Sequence, residues 1–304
     1  MTFSRRDFGK TLLAGVPAAL ALAQTNSDVE GVRIGVCTYS FRDLPRSNGD
    51  AVGPVIQAMK DCHAGITELF SPQLEPESSF SFHASKPEAM KNRAALRKWR
   101  LSTPMDHFTA VKKQFDDAGI EIYAYTLNFS KDFTDEELDK CFQQAKALAA
   151  KTIASSTKVS MLPRLKPLAE KHQIYVAVHG HSDTKHPDEF SSPETFQKAL
   201  EMSDWFRVNL DIGHFSAAGF DPVAYIKEHH DRITHLHIKD RKKNDGRNEP
   251  FGKGDTPIKP VLLLLKQEKY PIPALVEYEY EGAGTPVEEV NKCLAYMKSA
   301  LESA

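Results

Sequence analysis

The sequence has no C-x-x-C pair and no zinc-knuckle spacing. Its four cysteines, Cys37, Cys62, Cys141 and Cys293, stand far apart, which excludes a thiolate metal knuckle and a dithiol redox centre. Free buried thiols are the expectation, with a Cys62–Cys293 disulfide only if the helices carrying them lie side by side. A charge surplus is also missing: Lys+Arg number 39 and Asp+Glu 41, for a net charge of −2, and the sequence pI is about 6.6. Such a chain has no general attraction for nucleic acid or an anionic membrane, and a small, roughly neutral ligand fits better. No G-x-G-x-x-G follows the first strand-like run, which counts against a dinucleotide-binding domain. The basic loop "DRKKNDGRNEPFGKGDTPIKP" (240–260) contains no Walker pattern. It reads first as a solvated loop, with Arg241 as its candidate substrate contact.

Long apolar runs are confined to the N-terminus, where "TLLAGVPAALALAQ" follows "SRRDFGK". That run is short for a membrane span and has no polar face. With Arg5-Arg6 before it and Ala21-x-Ala23 at its end, it reads as a twin-arginine signal peptide over residues 1–23, cleaved after Ala23. The expected mature domain is then 24–304, periplasmic, delivered by the twin-arginine export machinery and without stable membrane association after cleavage.

What fills the rest is an alternation of short β-rich runs with longer stretches of helical period. Eight runs qualify: "VRIGVCTYSF", "ITELF", "EIYAYTLNF", "KTIASST", "IYVAVHGH", "FRVNLDIGHF", "RITHLHIKD" and "PALVEYEYE". Several intervening stretches open with Asp, Ser or Thr before Pro or an acid, the signature of a capped helix start. Eight βα units in about 280 residues predict a single-domain (β/α)8 TIM barrel, with an open doubly wound sheet as the alternative. Residues 71–103 form a longer insertion, either a wall of the site or a solvated charged helix.

A barrel of this kind builds its active site at the C-terminal ends of its strands. Here the fifth strand ends in His179 and His181, the sixth in Asp211 and His214, the seventh in His235, His237 and Lys239, and the eighth in Glu277 and Glu279. A period of two puts His179 with His181, Asp211 with Asn209, His237 with His235 and Lys239, and Glu277 with Glu279 on single faces, with Leu236, Ile238, Tyr278 and Tyr280 turned toward the helices. Imidazoles mixed with carboxylates suit one borderline divalent ion, Mn2+ first and Zn2+, Co2+ or Ni2+ next, better than calcium. The ends of the earlier strands offer Tyr39, Glu68 and Asn128 to a substrate.

The ordered pieces "VAVHGH", "NLDIGH", "HLHIKD" and "VEYE", with "VCTYSF" and "GITELF" before them, resemble the sugar phosphate isomerase/epimerase family and its xylose isomerase-like barrel. That resemblance implies a metal held by a Glu, an Asp, a His and a second Glu. Asp211, His237 and Glu277 match the last three, and His179 stands where the first Glu is expected. His181 falls where the family often keeps a His near the substrate. A metal-bound imidazole has no lone pair left for a proton, so a symmetric two-carboxylate epimerisation does not carry over.

The implied reaction removes a proton next to a carbonyl through a metal-stabilised enediolate. His181, His214 and Glu279 are its candidate bases, and Lys239 a candidate for stabilising the oxyanion. A sugar isomerase or epimerase is the expectation, with a 3-keto-glycoside lyase or hydrolase (β-elimination) as the alternative. A metal-dependent phosphodiesterase resembling abasic-site endonucleases would need more ligands on the second to fourth strands. A non-catalytic sugar-binding protein would not need Asp211, His237 and Glu277 together.

Overall fold

A computed structural model describes residues 27–76 and 86–303; the expected signal peptide lies outside them. Eight parallel strands form the framework: β1 (Val32–Cys37), β2 (Ile66–Phe70), β3 (Glu121–Thr126), β4 (Thr152–Ser155), β5 (Tyr175–His179), β6 (Phe206–Asp211), β7 (Ile233–Ile238) and β8 (Ala274–Val276). Each pairs with the next in chain order, and β8 pairs back onto β1 through Ala274↔Ile34 and Val276↔Val36. The sheet is therefore closed, and the open doubly wound alternative falls. Closure demands close approach at Gly35, where a Cβ would stand 2.3 Å from the Ile66 carbonyl oxygen, so β1 and β2 meet only because that side chain is missing.

The helices start where their caps predict. Thr134 accepts from the Glu137 amide ahead of Asp135–Ala147, Ser192 and Thr195 form a capping box ahead of Pro193–Met202, and Thr285 and Glu288 do the same for Pro286–Glu302. Each such cap contributes about 1 kcal/mol. The helix Ile258–Glu268 turns Val261, Leu262 and Leu265 inward, all fully buried, and each such side chain adds roughly 1.5–3 kcal/mol by leaving water.

Most strands stop short of the sequence reading: β3 ends at Thr126, β5 at His179 with His181 beyond it, and β7 at Ile238 with Lys239 beyond it. "TYSF" after β1 is a single 3-10 turn, Thr38–Phe41. β6 stops at Asp211, whose carboxylate caps a short helix, Ile212–Ala217, so His214 sits on that helix. β8 stops at Val276, and Glu277 and Glu279 lie on the segment that follows. Of the insertion, residues 71–76, which begin with the 3-10 turn Ser71–Gln73, and the helix Lys86–Ser102 are described. The helix is exposed along most of its length, as a solvated charged helix would be, while Arg93, Arg97 and Arg100 tie its inner face to Glu75, Asp132 and Glu137. All four cysteines are free and buried; Cys62 points at the Val287 carbonyl and Cys293 at the Tyr280 hydroxyl, so the Cys62–Cys293 disulfide is not formed.

Candidate metal centre and active site

Register brings the strand-end residues together. β5 sets His179 beside Asn209, and β6 sets Asp211 beside His237; Glu277 follows β8 next to Ile238 at the end of β7. One ligand atom each from His179, Asp211, His237 and Glu277 lies within 4.8 Å of the other three, and all four residues are buried. His179 Nε2 is 3.1 Å from His237 Nδ1 and 3.7 Å from Asp211 Oδ2, and His237 Nδ1 is 3.4 Å from Glu277 Oε1.

The far nitrogens of both rings are anchored. His179 Nδ1 meets Ser156 Oγ at 3.1 Å, and His237 Nε2 meets Glu68 Oε2 at 2.8 Å. With those contacts made as N–H donors, His179 Nε2 and His237 Nδ1 point lone pairs at one spot, which only a proton or a cation can satisfy. Burial works against charge on His237, but Glu68 and then Glu277 hold its pKa well above the ordinary imidazole value. It therefore keeps a proton that an incoming divalent ion would displace. The donor set of two imidazoles and two carboxylates fits such an ion.

Glu68, expected to meet substrate, is spent below the centre. Its Oε2 takes His235 Nε2, His237 Nε2 and Asn209 Nδ2, and its Oε1 takes Thr126 Oγ1 and Cys37 Sγ. Burial opposes its charge, yet His237 and His235 keep its pKa well below the carboxylate range. It acts on the centre through His237. Register shifts at Thr67/Glu68 and Val208/Asn209 aim both side chains there. Burial, with Glu68 nearby, raises the Cys37 thiol to about 12, so it carries no thiolate.

The centre opens into a cavity of about 380 Å3 lined by Tyr39, Asn128, His181, His214, Lys239 and Glu279 among others. Tyr39 stands edge-on to Phe70 with Arg42 over its ring, and Asn128 Oδ1 accepts from the Ser156 amide. His181 is held to about 4 by burial, by His179 and by Lys239, so it is an uncharged base throughout the neutral range. His214 is also neutral, pushed far down by burial and Lys239. Its two nitrogens face Arg241 Nη1 at 2.6 Å and Lys239 Nζ at 3.1 Å, and a neutral ring can accept from only one of them.

Arg241, the candidate substrate contact, is turned away into its own loop. It donates to the Gly246 carbonyl and Ser182 Oγ and reaches the cavity only through His214. The Lys239 ammonium lies 2.6 Å from both Glu277 Oε2 and Glu279 Oε2 and 3.2 Å from Asp211 Oδ2. Those carboxylates overcome burial and hold it charged. Sequence reasoning gave no role to Ser156, Asn209 or His235. The period of two marked the last two as inward, but nothing in the chain showed that β2 carries the acid they meet.

The family model for the xylose isomerase-like TIM barrel matches residues 82–300, well over half of the chain. This chain belongs to that family. The chain is 34% identical over 100 residues to the L-ribulose-5-phosphate 3-epimerase UlaE of Salmonella paratyphi C (strain RKS4594), a match covering 33% of this chain and 35% of that protein. The chain thus spans about a third of the length of the curated relatives it matches. Two solved structures share the architecture. The apo 3-keto-D-glucoside 4-epimerase YcjR from E. coli has a TM-score of 0.61 at 11% identity, over 88% of this chain and 99% of that one. The IOLI protein, solved with a zinc atom, has a TM-score of 0.62 at 14% identity, over 89% and 98%.

Proposed function

We propose that the chain is a divalent-metal-dependent isomerase or epimerase of a sugar or glycoside, taking a proton from the carbon beside a carbonyl. The observation that carries this is the set His179, Asp211, His237 and Glu277, buried and converging on one point, beside the uncharged His181 in a cavity large enough for one sugar residue. The epimerase relative and the zinc-containing barrel support it. Mn2+ remains the first choice of ion and Zn2+ the second. The ion, when bound, would supply the Lewis acidity that makes the substrate's α-proton removable.

The chain's own groups do the rest. His181, with no charge and a place on the cavity wall, takes the proton, and Glu279, ionised and also lining the cavity, is the alternative base. His214, with both nitrogens facing cations, is not free to take the proton and instead positions Lys239. Because His179 replaces a carboxylate, the site has unequal sides. That favours a second reading in the same pocket, β-elimination from a 3-keto-glycoside, in keeping with the structural likeness to a 3-keto-glucoside epimerase. An exported, periplasmic enzyme rests on Arg5-Arg6 and Ala21-x-Ala23 alone.

The test is to load the purified chain with metal, offer ketoses, aldoses and 3-keto-glycosides in D2O, and follow them by NMR. Deuterium should enter at one carbon of one substrate class. His181→Asn should slow that exchange about 100-fold or more with its metal retained. Exchange that is unchanged in both His181→Asn and Glu279→Gln removes the proton-transfer reading.

A further inference from the structure

A second group of potential ligands adjoins the first. One atom each from His214, Glu277 and Glu279 lies within 4.8 Å of the other two, and Glu277 belongs to both groups. A carboxylate shared between two such sets is how two-ion centres are assembled. In this chain a lysine stands in the second position. Its Nζ reaches Glu277 Oε2, Glu279 Oε2, His214 Nε2 and Asp211 Oδ2 at 2.6–3.2 Å.

The fit is electrostatic more than geometric. An ammonium has three N–H groups and here faces four acceptors. Two of these, Asp211 Oδ2 and Glu277 Oε2, are buried and accept no properly directed hydrogen bond. What the position demands is positive charge more than directed donors. Glu68, Asp211, Glu277 and Glu279 form one connected set of carboxylates, and without the lysine a single divalent ion would leave half of that charge unopposed.

We propose that Lys239 is a resident cation that keeps a second metal position closed, so that the chain binds one divalent ion where its ligands would otherwise hold two. The proposal rests on the metal reading above. Lys239 thereby spares Glu279 from ligation and leaves it a carboxylate facing the cavity. In its absence His214 turns an Nε2 lone pair to the second ion, while Arg241 keeps Ser182 and the Gly246 carbonyl as acceptors.

The experiment is metal analysis of the full chain equilibrated with excess Mn2+ and then desalted. Wild type should retain one ion, Lys239→Met two, and Lys239→Met with Glu279→Gln one again; the two-ion form should give the spin-coupled resonance of a Mn2+ pair. One ion in a folded Lys239→Met chain overturns the proposal and leaves the metal reading standing. No ion in the wild type sinks that reading itself. Should Lys239→Met not fold, calorimetric titration of the wild type decides: saturation at one ion up to millimolar Mn2+ supports the proposal, and a second ion of similar affinity overturns it.

Discussion

Arg93, Arg97 and Arg100 meet Glu75, Asp132 and Glu137 with the Phe133 ring against two of them, whereas Lys239 and His237 meet Glu68, Asp211, Glu277 and Glu279. The first cluster is balanced, three guanidinium groups against three carboxylates, and each acid is met by at least one planar fork of donors. The second is short of positive charge, and its histidines aim lone pairs inward. A balanced cluster, here buried only at Arg100, Glu75 and Glu137, is complete as folded, and its work is to fasten the helix Lys86–Ser102 to the barrel. An unbalanced one keeps surplus negative charge, the condition under which an added cation stabilises it. The difference separates two groups of clustered ionisable residues that look alike in composition.

Removing one acid from each cluster should have opposite consequences. Asp211→Ala should abolish metal retention and cut turnover roughly 10^4-fold, the scale of several kcal/mol of lost charge stabilisation. The metal-free variant should melt within a few degrees of metal-free wild type, because relief of one surplus carboxylate offsets the lost cap on Ile212–Ala217. Metal analysis and a melting curve check both halves. An Asp211→Ala chain that keeps its ion, or whose metal-free form melts far lower, would mean the two clusters are the same kind of structure.

Glu137→Gln is the converse, leaving Arg93, Arg97 and Arg100 without their shared partner. Breaking a buried pair on one side costs roughly 3 kcal/mol or more, readable by denaturant unfolding, with no change in metal content. The pH dependence has a definite sign. Burial opposes charge on Glu137, but Arg93 and then Arg97 and Arg100 hold its pKa below the ordinary value. Its contribution is therefore complete above the unfolded glutamate value of about 4.3 and fades as pH falls through the lower folded value. The variant should lose that part of the acid limb. An acid limb as steep as the wild type's would detach Glu137 from the cluster.

The sequence revealed the unbalanced cluster and hid the balanced one, for a physical reason. Ligands at strand ends obey a period of two, so His179, Asp211, His237 and Glu277 fall on inward positions that can be counted along the chain. The arginines obey only a helical period, and "MKNRAALRKWRLS" reads as a solvated face because nothing local shows that Glu75 and Glu137 lie opposite. Glu68 was visible as a strand-end acid but was assigned to substrate, since its meeting with His235 and His237 joins residues 167 and 169 positions apart across a register shift. His214 was counted on a strand because "LDIGHF" keeps an apolar alternation. The Asp211 carboxylate accepts the His214 amide at 2.7 Å and starts a helix instead.

The smallest expected effect sharpens the comparison most, because it concerns an acid that touches the centre without being one of its ligands. Glu68→Gln keeps the shape of the side chain, and its remaining carbonyl can still accept from Thr126 or Asn209, so the fold should persist. What it removes is the negative charge on the far side of His237, which makes that imidazole a better electron donor and fixes which nitrogen faces the centre. Partners of this kind change metal affinity by about 10–100-fold, and a loss of that size, measured by competition with a chelator, is expected with the stoichiometry unchanged at one. His235 offers an internal control. It meets the same oxygen from a fully buried position but bonds Thr234 Oγ1 through Nδ1 and faces no ligand site, so His235→Gln should weaken binding less than Glu68→Gln. Equal losses in the two variants would mean that the floor of the barrel acts by packing alone, and that the charge of Glu68 is not transmitted to the centre through His237.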